Sequence, residues 1–255
     1  VLMRHPYGNS VCISSQAGCH MGCAFCASTI HGLTRNLTTG EIAAQVIGIA
    51  DFLRQEGARV DTIVVMGSGE PLENYDHVMA ALRLLHADYT LGLSYRGITL
   101  STSGIVPGMR RLAEEGLPIS LSVSLHAPTE ELRSRLMPVN RIYSLAEVLH
   151  AAQYYAKITK RRVTYEYILI RDVNDGVREA EQLACLLRGQ LASVNLIPIN
   201  PVEERQFHRP EKHAIRRFRR ILEERHITVT LRREMGTDIQ AACGQLRNRL
   251  LAAGL

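Results

Sequence analysis

Seven short runs of β-branched and aliphatic residues alternate with seven longer amphipathic stretches along this chain, and that alternation narrows the folds open to it. The short runs lie at 11–15, 62–66, 98–102, 119–125, 163–170, 194–199 and 227–232. The amphipathic stretches lie at 40–55, 75–86, 107–115, 129–136, 145–158, 177–187 and 211–224. Repeated strand–helix units imply parallel strands joined by crossover helices, since antiparallel neighbours need only a tight turn. Six such units predict an α/β fold, a partial (β/α)6 barrel. A doubly wound open sheet has the same local pattern and stays open as the rival. Helix signals agree with the spacing. Thr38 or Thr39 caps the stretch at 40–55, with Glu41 three residues beyond Thr38 as in a capping box. Pro107 sits in a first turn and Gly116 at a stop.

The chain has 255 residues, 46% of them hydrophobic, enough for one large domain over 1–255. It shows no fixed-period repeat and no low-complexity segment. No apolar run reaches membrane-spanning length and no signal peptide opens it, so the expected setting is cytoplasmic, without a membrane partner. Its first residue is Val1, so the chain is expected to be an excerpt of a longer protein. The net charge of +5 leans toward an anionic partner. Aromatic residues make up only 5% and Trp is absent, which argues against a long base-stacking surface. Four of the six cysteines fall at Cys12, Cys19, Cys23 and Cys26. That crowding points to metal or redox chemistry in a reducing compartment rather than to a disulfide scaffold.

In a barrel, polar residues at strand C-termini share one rim. Gly67-Ser68-Gly69-Glu70-Pro71 follows the second run, Ser101-Thr102-Ser103-Gly104 ends the third, and Ser124-Leu125-His126 ends the fourth. Asn174-Asp175-Gly176 and Asn200-Pro201 follow the next two. Any one of these is ordinary turn chemistry; five together describe a site.

Cys19-His20-Met21-Gly22-Cys23-Ala24-Phe25-Cys26 spaces its thiols Cys-x3-Cys-x2-Cys. One reading is a zinc site with His20 or His31 as fourth ligand. Zinc sites usually arrive as two separated pairs, and no second pair follows. Three thiolates instead suit a four-iron cluster with one iron left open. Gly69-Glu70 is no dinucleotide fingerprint, because Leu72 takes the place of the third glycine, and no P-loop pattern occurs.

With an aromatic before its last Cys, this motif resembles the radical S-adenosylmethionine superfamily. Further segments narrow the resemblance: Cys12-Ile13-Ser14-Ser15-Gln16, Arg35-Asn36-Leu37-Thr38, Met66 to Leu72, Leu100 to Gly104, Ser124 to Pro128, and Asp238 to Leu246 around Cys243. In this order they resemble the RlmN/Cfr family of RNA adenosine methyltransferases, over roughly Tyr7 to Leu246. The resemblance implies a partial barrel, a [4Fe-4S] cluster on Cys19, Cys23 and Cys26, and S-adenosyl-L-methionine. It implies methylation of an adenosine in 23S rRNA, with the tRNA adenosine beside the anticodon as a substrate of some members. RlmN-type members act on carbon 2 of adenine and Cfr-type members on carbon 8; Pro71 resembles the former. The family also implies a helical RNA-binding domain upstream, together with a Glu proton acceptor that lies before Val1. Its electron donor is a flavodoxin or ferredoxin, and a thiol reductant is needed.

The chemistry implied is indirect for a reason. Carbon 2 of adenine lies between two ring nitrogens and has no lone pair to attack a sulfonium methyl, whereas a carbon radical can add to it. Cys243 matches the family's methyl-accepting cysteine, a thiolate nucleophile. A second S-adenosylmethionine yields the radical that activates the parked methyl. Cys12 matches the cysteine that attacks the Cys243 sulfur, forming a disulfide and releasing the product. Gly69, Glu70, Ser101, Ser124, Leu125, His126 and Asn200 match cofactor-binding positions. Cys185, among Ala184, Leu186 and Leu187, is expected in the core. Arg216, Arg217, Arg219 and Arg220 face away from the apolar stripe of the helix at 211–224, either as a solvated face or as phosphate contacts. Lys160-Arg161-Arg162 and Arg232-Arg233 have the same two readings. The rival of another class is a zinc-stabilised RNA-binding module without catalysis.

Overall fold

Parallel strands that are covered on both faces read as nearly continuous apolar runs, and residues Val163–Leu169 are such a run, with six of seven residues buried. The computed structural model describes residues 1–200 and 205–232. The strands are β1 (Leu2–His5), β2 (Gly8–Ile13), β3 (Gln16–Gly18), β4 (Leu33–Asn36), β5 (Thr62–Val65), β6 (Ile98–Thr102), β7 (Ser120–Ser124), β8 (Val163–Leu169), β9 (Ala192–Pro198) and β10 (Thr228–Leu231). The helices are α1 (Thr39–Gln55), α2 (Tyr75–His86), α3 (Val106–Glu114), α4 (Glu130–Leu136), α5 (Leu145–Thr159), α6 (Val177–Leu186) and α7 (Lys212–Glu224).

Eight strands form one curled sheet in the order β1-β2-β5-β6-β7-β8-β9-β10. Every pairing from β2 to β10 is parallel, and only β1 runs antiparallel to its neighbour. A doubly wound sheet reverses strand order at a switch point. Here the order follows the chain throughout, which settles the architecture as a partial barrel. Six β/α units are present as expected, and β10 adds a seventh parallel strand. The described residues include no helix long and apolar enough to cross a membrane.

The α1 cap lies where the sequence places it. Thr38 and Glu41 form a reciprocal capping box on α1, and Ser144 and Glu147 form another on α5. Gly116, at φ +65°, ends α3. The main core lies between the sheet and the helices, with Val11, Ile13, Ile63, Val65, Leu121, Val123 and Phe218 buried in it. A second, smaller core sits at the C-terminal rim. It joins Cys19, Met21 and Cys23 to Leu136, Met137, Val139, Ile168, Ile170 and Ile199.

Cys185 departs from expectation, since it is exposed. The buried stripe of α6 is Ala180, Leu183 and Ala184, continued by Leu187, and position 185 falls one step off it.

Candidate active site

The loop that carries the three clustered cysteines is inserted between β3 and β4, which pair as a separate two-stranded ribbon beyond the end of β2. Backbone bonds fix its path. Cys19 N–H donates to the Gly32 carbonyl, Cys26 N–H to Cys23, and Ala24 N–H to Leu136. Thr29 Oγ1 donates to the carbonyls of both Cys23 (3.2 Å) and Cys26 (3.0 Å). Gly22 takes φ +69°, a left-handed turn within the Cys-x3-Cys span that favours glycine.

Cys19, Cys23 and Cys26 all line one cavity of about 750 Å³ at the C-terminal rim. Burial, followed by the neighbouring thiol of Cys26 and the carboxylates of Glu70 and Glu73, pushes the Cys19 thiol up to about 12. Burial, and then the other two cysteines, push the Cys23 thiol up as well. Two buried thiols with raised pKa values, each beside further cysteines, need a neighbouring cation before they ionise. Among the described residues no three His, Cys, Asp or Glu side chains are placed to hold a single metal ion. His20, one of the two candidate fourth ligands of a zinc, pairs with Glu73 at 3.0 Å. Three thiols on one loop, all opening onto one cavity, are the donor set a four-iron cluster with one open iron takes.

The turn after β5 forms the adjoining wall. A Cβ on Gly67 would stand 2.5 Å from Ser14 Oγ, and one on Gly69 (φ +106°) 2.5 Å from Gln16 Cβ, so both positions require glycine. Ser15 and Gln16 N–H donate to the Ser68 carbonyl, and Ser68 Oγ donates to the Gly18 carbonyl. Gln16 Oε1 accepts the Glu70 N–H at 2.8 Å. Asn74 Nδ2 donates to the carbonyls of Ser15 and Leu37, both at 2.8 Å.

Glu70 is 2% exposed. Its carboxylate accepts Thr102 Oγ1 at 2.8 Å, Ser103 N–H at 2.6 Å and Leu72 N–H at 3.0 Å. Burial raises its pKa, and the donors at Ser103, Thr102 and Leu72 oppose that rise. The carboxylate ties the end of β6 to the glycine turn, and Gly67, Gly69 and Glu70 all line the cavity.

His126 follows β7 in a left-handed conformation, φ +61°. Its Nδ1 accepts Ile168 N–H at 3.0 Å, and its carbonyl accepts Asn174 Nδ2 at 2.9 Å. Burial, and secondarily Arg133, lowers its pKa to about 3, so the ring is neutral and its proton resides on Nε2. Phe25 meets the ring edge-on at 4.8 Å.

Ser101, Ser124 and Asn200 line the same cavity. Leu125 does not. It is fully buried in the main core, and its N–H donates to the Glu166 carbonyl. Cys12 is half-buried on β2 and alternates with the core residues Val11 and Ile13, which places it on the inner face of the barrel. Cys243 and Arg233 lie outside the described residues.

Three supporting residues escaped the sequence reading. Arg133 is fully buried and donates to Asn140 Oδ1 and to the carbonyls of Ser103 and Ser124, tying the ends of β6 and β7 together. Asn174, read only as a turn residue, bridges His126 and the end of β8. Glu166, on β8, lines the cavity and accepts Asn195 Nδ2 at 2.8 Å. Of the four α7 arginines, Arg219 and Arg220 pair with Glu223 and Glu224 on their own helix, which favours a solvated face for that pair. Arg161 is engaged with Ser120 Oγ at 2.9 Å.

Residues 13–184 match the model of the Radical SAM superfamily. The probable dual-specificity RNA methyltransferase RlmN of Symbiobacterium thermophilum is 64% identical over 250 residues, covering 98% of this chain and 67% of that protein. The protein of the same name from Desulforamulus reducens is 54% identical, over 98% of this chain and 70% of its own length. A crystal structure of a radical SAM methyltransferase from Sphaerobacter thermophilus superimposes with a TM-score of 0.94 at 50% identity, covering 96% of this chain and 72% of that one.

Proposed function

This chain belongs to the Radical SAM superfamily and, within it, to the RlmN family of RNA methyltransferases, and from that premise we propose that it methylates carbon 2 of an adenosine in 23S rRNA. It is an S-adenosylmethionine-dependent radical enzyme with a [4Fe-4S] cluster, and its substrate is RNA. The tRNA adenosine beside the anticodon is proposed as a second substrate, and the cytoplasm as the setting. Residues 1–255 are proposed to act as one catalytic core.

The observation that carries this reading is the common cavity. Cys19, Cys23 and Cys26 open onto the same space as Gly69, Ser101, Ser124, His126 and Asn200. The three thiolates are proposed to hold the cluster. When bound, it supplies one electron to S-adenosylmethionine lying against it. The small residues at Gly67 and Gly69 let backbone approach the methionine end closely. Glu70 keeps that turn in place by holding three donors. His126 presents a neutral imidazole whose Nε2–H can donate to the nucleoside, beside Ser124 and Asn200.

Cys243 is proposed to accept a methyl from sulfonium sulfur as a thioether. After that carbon has bonded to the base, Cys12 thiolate attacks the Cys243 sulfur. The S–C bond breaks with its electron pair passing to the carbon on the base, that carbon takes a proton to become the methyl group, a disulfide forms between Cys12 and Cys243, and the methylated base leaves. Two electrons and two protons from an external dithiol, itself oxidised to a disulfide, then restore both cysteines. The inner-face position of Cys12 supports this role. A flavodoxin or ferredoxin is proposed as the electron donor. Pro71, buried directly after the Gly69-Glu70 turn, favours carbon 2 as the site of attack.

Mass analysis of digested rRNA from cells with and without the gene tests the regiochemistry. Gene-dependent 2-methyladenosine is expected, and 8-methyladenosine alone overturns carbon 2. In the anaerobically purified protein, Cys243→Ala should abolish methylation while four irons per chain remain. Cys12→Ala should trap a covalent protein–RNA species. One zinc and no iron per chain would reject the enzyme reading altogether.

A further inference from the structure

The cavity mouth carries a pair of rings that none of these roles uses. β1 and β2 are joined by a tight turn at Pro6 and Tyr7, and the rings of His5 and Tyr7 stack with centroids 4.7 Å apart and planes 6° from parallel. Tyr7 is 80% exposed. Both rings belong to the wall of the cavity that also contains the three clustered cysteines. We propose that His5 and Tyr7 form a stacking platform for a nucleobase of the substrate RNA at the mouth of the site. The proposal rests on the RNA methyltransferase reading and adds to it how the nucleic acid is gripped.

Folding does not account for these rings. A turn residue that is four-fifths exposed contributes little to any core, and Ser, Asn or Asp suits a turn better than Tyr. The stack orders the phenol ring while leaving most of it open to a further flat partner. An aromatic plane held before binding loses less freedom when a base settles on it.

The backbone beneath the platform is braced in the same sense. Asp61 Oδ2 accepts Asn9 N–H at 2.8 Å, Asp61 N–H donates to the Asn9 carbonyl at 2.9 Å, and Asn9 Nδ2 donates to the Arg59 carbonyl at 2.9 Å. Gly8 lies at φ +135°, and a Cβ there would stand 2.5 Å from Asp61 Oδ2. The hairpin is thus seated against the connection from α1 to β5, with no room for a side chain at its pivot.

A base is the partner whose chemistry fits. An adenine within folded RNA must leave its stack to reach a buried reaction centre, and the strand around it then exposes unstacked π faces. Aromatic side chains take up such faces without regard to sequence. The low aromatic content and the absence of Trp exclude a long platform, but one base needs only one pair of rings. The net charge of +5 suits the phosphates that accompany it.

Because the chain contains no Trp, Tyr7→Trp installs a single indole reporter at the platform. In the cluster-loaded protein, its emission should be quenched on titration with a short RNA hairpin containing the target adenosine. Tyr7→Ala should raise KM for that RNA about tenfold with little change in kcat, while Tyr7→Phe behaves as wild type. Iron content and circular dichroism check that each variant is folded and loaded. Unquenched emission, or a wild-type KM in Tyr7→Ala, overturns the platform if the wild-type protein methylates the same RNA. If the wild type methylates no RNA, the underlying reading falls and the platform with it.

Discussion

A histidine with its pKa lowered to about 3 cannot take up a proton at neutral pH, and His126 is in that position because burial outweighs everything else around it. Its folded value lies below the ordinary value of about 6.5. Between those two values the unfolded chain binds a proton that the folded chain does not. The contribution of His126 to stability is therefore complete above about pH 6.5 and is lost as pH falls toward 3, at up to about 1.4 kcal/mol per pH unit. Glu70 and Glu166, raised by burial, act in the opposite sense. They are common to wild type and His126→Gln, so their effect cancels in the difference between the two. Urea denaturation of the cluster-free protein from pH 7 to pH 4 should show wild type losing stability more steeply than His126→Gln. Parallel profiles would mean that His126 titrates normally. At this scale the sequence revealed what lies close along the chain. Cys19, Cys23 and Cys26 are legible because their ligand set spans one short loop. Arg133 is not, because its partners are the carbonyls of Ser103 and Ser124, brought to it by strands that no local pattern connects. Its charge, on a helix with three other charged residues, reads as solvated surface.

The cysteine loop and the β3–β4 ribbon form the element on which the site depends, and Thr29 is its central tie. One hydroxyl donates to the carbonyls of Cys23 and Cys26, so the second and third thiol positions are set by the same group. Thr29→Val keeps the branched shape and leaves both carbonyls without that donor, at a cost of about 1 kcal/mol. The expected outcome is a normal four irons per chain after anaerobic loading, followed by iron release to a chelator several times faster than in wild type. Thr29→Ser should restore the slow rate, and equal rates in all three proteins would remove Thr29 from this role. The elements of the barrel itself were legible nearly to the residue: β6 and α2 coincide with the predicted 98–102 and 75–86, and no other boundary differs by more than three residues. The ribbon was not. Gln16–Gly18 and Leu33–Asn36 are too short for alternation to register, and they pair with each other across fourteen intervening residues that carry no strand signal. β1 was missed because its residues are mostly half-buried at the sheet edge, where apolar periodicity is weak.

Stability and chemistry occupy different layers of the molecule. The main core lies between sheet and helices and includes Leu121, Val123 and Tyr167, all almost wholly buried. The smaller rim core is built around two of the cluster cysteines and has its own set of partners, Leu136, Met137, Val139, Ile168, Ile170 and Ile199. Two cores that share few residues open with different free energies, and the smaller has less buried apolar area to resist opening. Anything that binds the folded site and not the open one stabilises the layer that holds it. Cluster loading should therefore act on the rim first. Hydrogen exchange followed by mass spectrometry, comparing cluster-free and cluster-loaded protein, tests this. Amides of residues 19–32 and of 136–143 should exchange markedly more slowly after loading. Addition of S-adenosylmethionine should extend the slowing to 67–74 and 124–127. The central strands β6, β7 and β8 should keep nearly the same protection in all three states, because their amides open only with the whole barrel. A uniform slowing across the chain would show instead that the two layers open as one unit, and the rim could then not be tuned independently of the scaffold beneath it.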